Sequence, residues 1–107
     1  MANISDELIR SLLKNKNNIL VPTQTKISLP IVNRLVNKME IGLTFTGISI
    51  VENYIIDGHH RFIASIVSNT HLEFIQGTKP SEINIYEWNE IIFEELDWDS
   101  TYKVKEF

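Results

Sequence analysis

The feature that most constrains the fold is a change of apolar spacing at Asp57 and Gly58. Before it lie two short runs of apolar residues, 47–51 and 54–56, with only two residues between them. Runs of this kind predict two strands joined by a tight turn. After Gly58 the apolar residues recur at helical spacing as far as about residue 69. The chain is therefore predicted to fold as strand, turn, strand and helix, with a sharp strand-to-helix turn at Gly58.

Flanking patterns complete a single α+β domain over residues 1–107. One amphipathic helix is predicted from Ser5 to about residue 15, and a second from 28 to 40 with Pro30 in its first turn. Downstream of the strand-to-helix turn we predict two strands and a last helix, at residues 72–75, 83–86 and 88–96. This order predicts a small mixed sheet packed by helices, and 107 residues leave room for one core.

The composition excludes several classes of protein. The chain has no cysteine, which removes disulfides, thiolate nucleophiles and cysteine-based metal sites and favours a reducing, cytoplasmic location. It has no stretch of about 18 apolar residues, so we expect no membrane partner. Its acidic N-terminal segment lacks the positive charge of a signal peptide.

The net charge of −4 is unevenly placed along the chain. Residues 1–80 carry 8 Lys and Arg against 6 Asp and Glu, whereas residues 81–107 carry 2 against 8. The latter form the predicted acidic strand-helix segment. Because duplex nucleic acid is bound mainly by neutralising its phosphates, the acidic total disfavours nucleic acid as a partner. A small local basic site is still allowed.

Chemistry-bearing side chains stand together at the strand-to-helix turn, namely Asp57, Gly58, His59, His60 and Arg61. The first N–H groups of a helix have no acceptor within the helix and carry partial positive charge, so a phosphate or carboxylate can bind there. Gly58 lets a ligand approach, Arg61 offers two parallel donors, and imidazoles donate, accept or relay protons. We predict no metal site, because neighbouring histidines on a helix point apart. Each residue also has a purely structural interpretation, as turn former, cap or ion-pair partner.

The sequence IIDGHHRFIAS, with the predicted elements around it, resembles the motif region of the ParB/sulfiredoxin superfamily. The resemblance covers residues 28–75, the motif core, and implies a ParB/sulfiredoxin-like fold whose strand-to-helix corner holds nucleotide phosphates. Two differences from the family pattern limit the functions that the resemblance implies. His59 stands where sulfiredoxins carry the catalytic cysteine, which excludes sulfiredoxin chemistry. The chain also has no room for the helix-turn-helix and dimerisation regions of chromosome-partitioning ParB proteins.

The resemblance implies roles for the five residues 57–61 at the strand-to-helix turn, which we call the corner. Gly58 and Arg61 match phosphate-binding positions of the family. The others, Asp57, His59 and His60, match the Asp-Gly-His-His-Arg box of ParB-like nucleases. The corner also resembles the Asp-Gly-His-Thr-Arg box of ParB-like free-serine kinases.

We therefore expect a domain that binds a nucleotide or another phosphorylated small molecule at this corner. It is expected to catalyse phosphoryl transfer or phosphoester hydrolysis, with Mg²⁺ accompanying the nucleotide. His59, His60 and Asp57 are the predicted catalytic residues: an imidazole handles a proton, and Asp57 orients the corner or holds a metal. Gly58, Arg61 and both histidines are predicted to contact the phosphate. The alternatives are a non-catalytic module that binds a ligand or a protein, and a nuclease-type effector.

Four further polar residues are weaker candidates. Gln24 and Thr25 lie in a polar stretch after Pro22 and are predicted to bind a base or ribose, unless the stretch is a plain connecting loop. Glu40 and Glu52 are candidate general bases on neighbouring elements. The sequence alone does not place either carboxylate relative to the corner.

Overall fold

The computed structural model of the protein describes residues 5–14 and 20–98, which form an α+β fold. In chain order the elements are α1 (Asp6–Lys14), β1 (Lys26–Ser28), α2 (Leu29–Glu40), β2 (Ile48–Val51), β3 (Tyr54–Asp57), α3 (His59–Ser68), β4 (Phe74–Gln76), a 3₁₀ turn (Trp88–Glu90) and β5 (Ile92–Glu94). The predicted α+β class is confirmed. Residues 99–107 of the predicted acidic segment lie outside the described residues.

The strands form a three-stranded mixed sheet and a separate parallel pair. In the larger sheet β2 lies between β3 and β4, antiparallel to β3 and parallel to β4. The smaller sheet pairs β1 with β5. The predicted β2–β3 hairpin is confirmed, and Glu52 in its turn adopts a φ of 55°. This hairpin ends at Asp57, so its last residue leads directly into the strand-to-helix turn.

The three helices lie close to the ranges that the apolar spacing predicts, and two of them begin at the predicted serines. Ser5 accepts a hydrogen bond from the main-chain N–H of Leu8 at 3.2 Å, and Ser28 accepts one from that of Ile31 at 3.5 Å. The apolar stripes of the helices and the inner face of the hairpin meet in one core, which includes Ile9, Val32, Val36, Ile48, Ile55 and Ile63. Among the described residues, no helix is long and apolar enough to span a membrane.

The predicted helix at 88–96 is wrong. One 3₁₀ turn forms at Trp88–Glu90, capped by reciprocal hydrogen bonds between Glu87 and Glu90, and the chain then extends into β5. A capping pattern marks the start of a one-turn helix as well as of a long one. The guanidinium of Arg10 stabilises the end of this 3₁₀ turn, because it donates to the carbonyl of Trp88 at 3.2 Å and to that of Ile91 at 2.7 Å. Carbonyls held in this way favour extension over further helical turns.

The predicted strand at 83–86 is also wrong, so the acidic segment is not a strand followed by a helix. These residues form no ladder, although the N–H of Tyr86 donates to the carbonyl of Pro22 at 3.1 Å. The strand in this part of the chain is β5, which pairs with β1, a strand that the sequence did not predict. The strand predicted at 72–75 exists but begins later, at Phe74, because Leu72 is buried in the core before the ladder starts.

A close contact beside the larger sheet makes Gly47 hard to replace. A Cβ at this position would lie 2.6 Å from the carbonyl oxygen of Glu73, which accepts the N–H of Ile48 at 2.8 Å. We expect Gly47→Ala to lower the free energy of unfolding by about 1–3 kcal/mol, because the backbone of β2 and β4 must separate. Urea unfolding measures this loss.

The matched control for that substitution is Gly77→Ala. Gly77 flanks the same pair of strands at the other end of β4, but its added Cβ would meet its nearest atom, the carbonyl oxygen of Ile50, at 3.5 Å. We expect this variant to stay within about 0.5 kcal/mol of the wild type. Equal losses in the two variants would contradict the steric explanation.

Candidate functional site

The strand-to-helix turn places main-chain donors around one glycine. Gly58 is the residue before α3 and adopts a φ of +102°, a conformation that side chains with a Cβ rarely adopt. The first helical hydrogen bond runs from the N–H of Phe62 to the carbonyl of Gly58, at 2.8 Å. The helical ladder therefore supplies no acceptor for the N–H groups of His59, His60 and Arg61. This end of the helix carries partial positive charge.

Arg61 folds back over the glycine that starts its own helix. Its guanidinium Nη2 lies 3.3 Å from the carbonyl oxygen of Gly47 and 3.5 Å from a carboxylate oxygen of Asp57. The Arg61 side chain is 8% exposed, whereas that of Asp57 is 67% exposed. A Cβ on Gly58 would lie 2.9 Å from the same Nη2. Gly58 is therefore required for its backbone angle, and a Cβ there would also displace the end of the Arg61 side chain.

His59 accepts a main-chain hydrogen bond in the interior. Its Nε2 lies 3.0 Å from the N–H of Thr23 and 3.4 Å from the Thr23 hydroxyl, which donates to the carbonyl of Ile55 at 2.6 Å. Burial, and then the charge of His60, lower the pKa of His59 to about 3. The ring is therefore neutral at pH 7, and the Thr23 donor assigns its proton to Nδ1.

His60, the next residue, also accepts a main-chain hydrogen bond in the interior. Its Nε2 accepts the main-chain N–H of Ser28 at 2.9 Å, and its side chain is 1% exposed. The ring also meets the edge of Trp98, with ring centroids 4.9 Å apart. Together the two imidazoles fasten both ends of the segment 23–28 to the first turn of α3.

Gln24 and Thr25 lie on the segment that the histidines hold. The amide of Gln24 donates to the carbonyl of Lys26 at 2.7 Å, and the carbonyl of Thr25 accepts from the N–H of Ile92 at 2.8 Å. Thr23, at the start of the same segment, is the residue that donates to His59. Their predicted contact with a ligand stays a prediction.

A small cavity opens beside this segment. It has a volume of about 170 Å³ and is lined by Thr23, Ile56, Pro80, Glu82, Ile83 and Asn84. Thr23 belongs to the segment held by His59, and Ile56 directly precedes Asp57. The cavity therefore touches the corner only through these two neighbouring residues, and none of the residues 57–61 lines it.

The two candidate bases are not brought to the corner. Glu52 lies in the β2–β3 turn, at the opposite end of β3 from Asp57. Glu40 ends α2, whose first turn is the part that touches His60 through Ser28. A helix of 12 residues is about 18 Å long, which separates Glu40 from that contact. In the described part of the chain, no group of three or more His, Cys, Asp or Glu residues could hold a metal ion.

Sequence reasoning found the corner but missed the groups that enclose it. Ser28 was predicted only as part of a helix start. In the structure its N–H donates to His60, and its hydroxyl links the first turn of α2 to the carbonyl of Leu96. Thr23 and Trp98 were not predicted to meet the histidines. The one signal in the sequence was the polar character of the stretch around Thr23.

Comparison of the chain with protein-family models, with curated proteins and with solved structures gives no significant match.

Proposed function

We propose that the protein is a ParB/sulfiredoxin-like domain that binds the phosphate of a nucleotide or of another phosphorylated small molecule at the start of α3. The observation that supports this best is the position of Arg61. Its guanidinium lies over Gly58, beside main-chain N–H groups for which the helix supplies no acceptor. A cation and helix-start donors in one place suit a phosphate.

The carboxylate of Asp57 is the group that a phosphate would replace. It lies 3.5 Å from the guanidinium and is largely exposed, so the ion pair is weak and the carboxylate can rotate into water. A ligand phosphate carries more charge and more acceptor oxygens than a carboxylate. The cavity at Thr23 and Ile56 would be the place for a sugar hydroxyl group or another polar part of a ligand that extends from the corner.

The geometry favours binding over chemistry that depends on the histidines. A general base must reach the proton that it removes, directly or through one water. The Nε2 atoms of His59 and His60 instead accept main-chain protons inside the fold. We therefore assign the imidazoles to holding the segment 23–28, which makes the non-catalytic module the leading form of the proposal. If catalysis occurs, Asp57, Arg61 and a Mg²⁺ ion carried by the nucleotide are the groups left to provide it.

A nuclease-type effector is the less favoured form, since the chain is acidic and most nucleic-acid affinity comes from phosphate neutralisation. Such an effector would degrade DNA or RNA in the presence of a divalent metal, with affinity that falls steeply as salt rises. A nucleotide ligand and a cysteine-free chain both suit a cytoplasmic location.

The proposal is tested by a thermal-shift screen of nucleoside mono-, di- and triphosphates, pyrophosphate and inorganic phosphate, each with and without Mg²⁺. A ligand present at about 100 times its dissociation constant adds about 2.7 kcal/mol to the stability of the folded state. For a domain of this size we expect a rise in Tm of several degrees. Arg61→Ala should abolish the rise measured against its own melting temperature.

Arg10→Ala is the matched control for that screen. Arg10 also donates to main-chain carbonyls, but these are the carbonyls of Trp88 and Ile91, in the chain segment before β5 and not at the corner. It should therefore lose stability and keep the ligand-induced rise. The proposal fails if no compound raises the Tm of the wild type or of a variant, or if Arg61→Ala responds as strongly as the wild type.

A further inference from the structure

Two helices begin at the same place in this fold. The N–H of Ser28, the residue that caps α2, donates to Nε2 of His60 in the first turn of α3 at 2.9 Å. Neither α2 nor α3 has an acidic residue in its first turn. The positive ends of two helix dipoles therefore lie together, next to the Arg61 corner.

The last described residues of the chain cover this shared end. We call residues 95–98 the C-terminal strap. The carbonyl of Leu96 accepts the Ser28 hydroxyl at 2.8 Å, and the Trp98 ring meets that of His60. The carboxylate of Asp97 accepts from both terminal guanidinium nitrogens of Arg34 on α2, one of them at 2.8 Å. Ser28 and His60 are buried beneath these contacts.

The strap brings negative charge to the positive end of both helices. Glu95 and Asp97 belong to it, and Glu94 immediately before it accepts the indole N–H of Trp98. Charges interact over about 8 Å at physiological salt. Repulsion from these carboxylates would therefore oppose a phosphorylated ligand that approaches the start of α3.

The strap is fastened by few contacts, and its ion pair is accessible to water. The side chains of Arg34 and Asp97 are 41% and 27% exposed, so water and salt weaken this ion pair although it has two parallel hydrogen bonds. Leu96 is itself largely exposed, so Trp98, which is partly buried, is the apolar side chain that holds the strap in place. Segments with few buried apolar contacts open at low cost in free energy.

We propose that the C-terminal strap is an autoinhibitory cover, which competes with a phosphorylated ligand for the shared start of α2 and α3 and opens when the ligand binds. This inference rests on the proposed function, since it concerns the regulation of the same site. Opening removes the strap carboxylates from the start of α3. Variants that release the strap therefore bind the ligand more tightly.

The test is a titration with the compound that gives the largest Arg61-dependent shift, or with Mg²⁺–ATP and pyrophosphate if the wild type gives none. Asp97→Asn breaks the ion pair and is expected to tighten binding about fivefold or more, the lower end of typical coupling between two sites. Glu95→Gln is the matched control, because it removes the same charge from an exposed strap residue. It should change the affinity less.

Arg34→Gln is the decisive variant. It breaks the same ion pair but removes a positive charge, so simple electrostatic attraction predicts weaker binding of an anion. Release of the strap predicts tighter binding instead. The folding of Asp97→Asn and of Arg34→Gln can be checked in the same experiment. If one of them misfolds, the other still tests the proposal.

Fluorine NMR of protein labelled with 5-fluorotryptophan reports whether the strap is open, independently of any measurement of affinity. The chain has two tryptophans, and Trp98→Phe assigns their signals. We expect the Trp98 signal to move towards that of an exposed indole in Asp97→Asn and, in the wild type, on addition of ligand.

The outcomes separate the two proposals. Arg61-dependent binding that is unchanged in Asp97→Asn and weaker in Arg34→Gln, with an unmoved Trp98 signal, overturns the strap and leaves the proposed function intact. Binding that appears only in the released variants supports both. Absence of binding in every variant overturns the proposed function and the strap with it.

Discussion

Acidification from pH 6.5 towards pH 3 is expected to lower the free energy of unfolding by on the order of 5 kcal/mol through His59 alone. The pKa of His59 is about 3 in the folded protein and 6.5 in an unfolded chain. Between these values the unfolded state binds a proton that the folded state does not, so acid favours unfolding. The stabilisation is fully present above pH 6.5 and is lost as the pH falls to about 3. Since small domains have only about 5–15 kcal/mol in total, we expect unfolding within this range.

Urea unfolding at a series of pH values from 7.5 to 3.5 measures this dependence. His59→Gln is the matched control, because a glutamine carbonyl can accept the N–H of Thr23 but does not titrate. Both proteins share the same carboxylates, so the difference between their pH profiles isolates His59. The variant should be less stable at pH 7.5 and show a flatter decline. Parallel profiles would show that His59 is protonated in the folded protein as easily as in the unfolded one.

His60→Ala is expected to lower the free energy of unfolding by about 3–5 kcal/mol at neutral pH. The substitution removes a ring that is 1% exposed, and it leaves a cavity beside Trp98. Truncation of a buried ring as large as that of Phe costs about 3–5 kcal/mol. The smaller imidazole costs less, and the buried N–H left without its acceptor adds about 1–3 kcal/mol. Here that N–H belongs to Ser28, at the start of α2. Chemical denaturation at pH 7.5 gives the loss directly.

Two further substitutions separate the cost of the lost ring from the cost of the lost hydrogen-bond acceptor. His60→Leu fills most of the volume but offers no acceptor, whereas His60→Gln offers a carbonyl to the Ser28 N–H. We expect the glutamine variant to retain more stability than the leucine variant. The result also bears on function, because a histidine that only transfers protons could be replaced without loss of folding. A stable His60→Ala protein that has lost turnover of a nucleotide would return the imidazole to the catalytic role that the sequence predicted.

The local elements of this fold were predictable because their signals lie within a few residues. The helical spacing, the caps at Ser5 and Ser28, and the turn between two β-branched runs each predicted the element that forms. The left-handed backbone of Gly58 follows from the same kind of signal, since Asp-Gly ends one apolar period and starts another.

The failures all involve partners that are distant in the sequence. β1 and β5 are three residues each, and they form because Lys26 is brought opposite Ile92. Neither has a pattern of its own long enough to predict a strand. The helix predicted at 88–96 stops after one turn, because nothing nearby in the sequence shows that Arg10 binds the carbonyls of Trp88 and Ile91.

By itself, the sequence determined the helices, the hairpin and the presence of Asp57, Gly58, His59, His60 and Arg61 at one strand-to-helix turn. Only the tertiary structure decided what the two histidines do there. A histidine in the first turn of a helix can face a ligand or the interior, and the choice depends on segments such as 23–28 and the strap, which no local pattern links to it. Spacing and caps act within one or two helical turns, whereas the desolvation that keeps His59 neutral is produced by the whole fold packed around it.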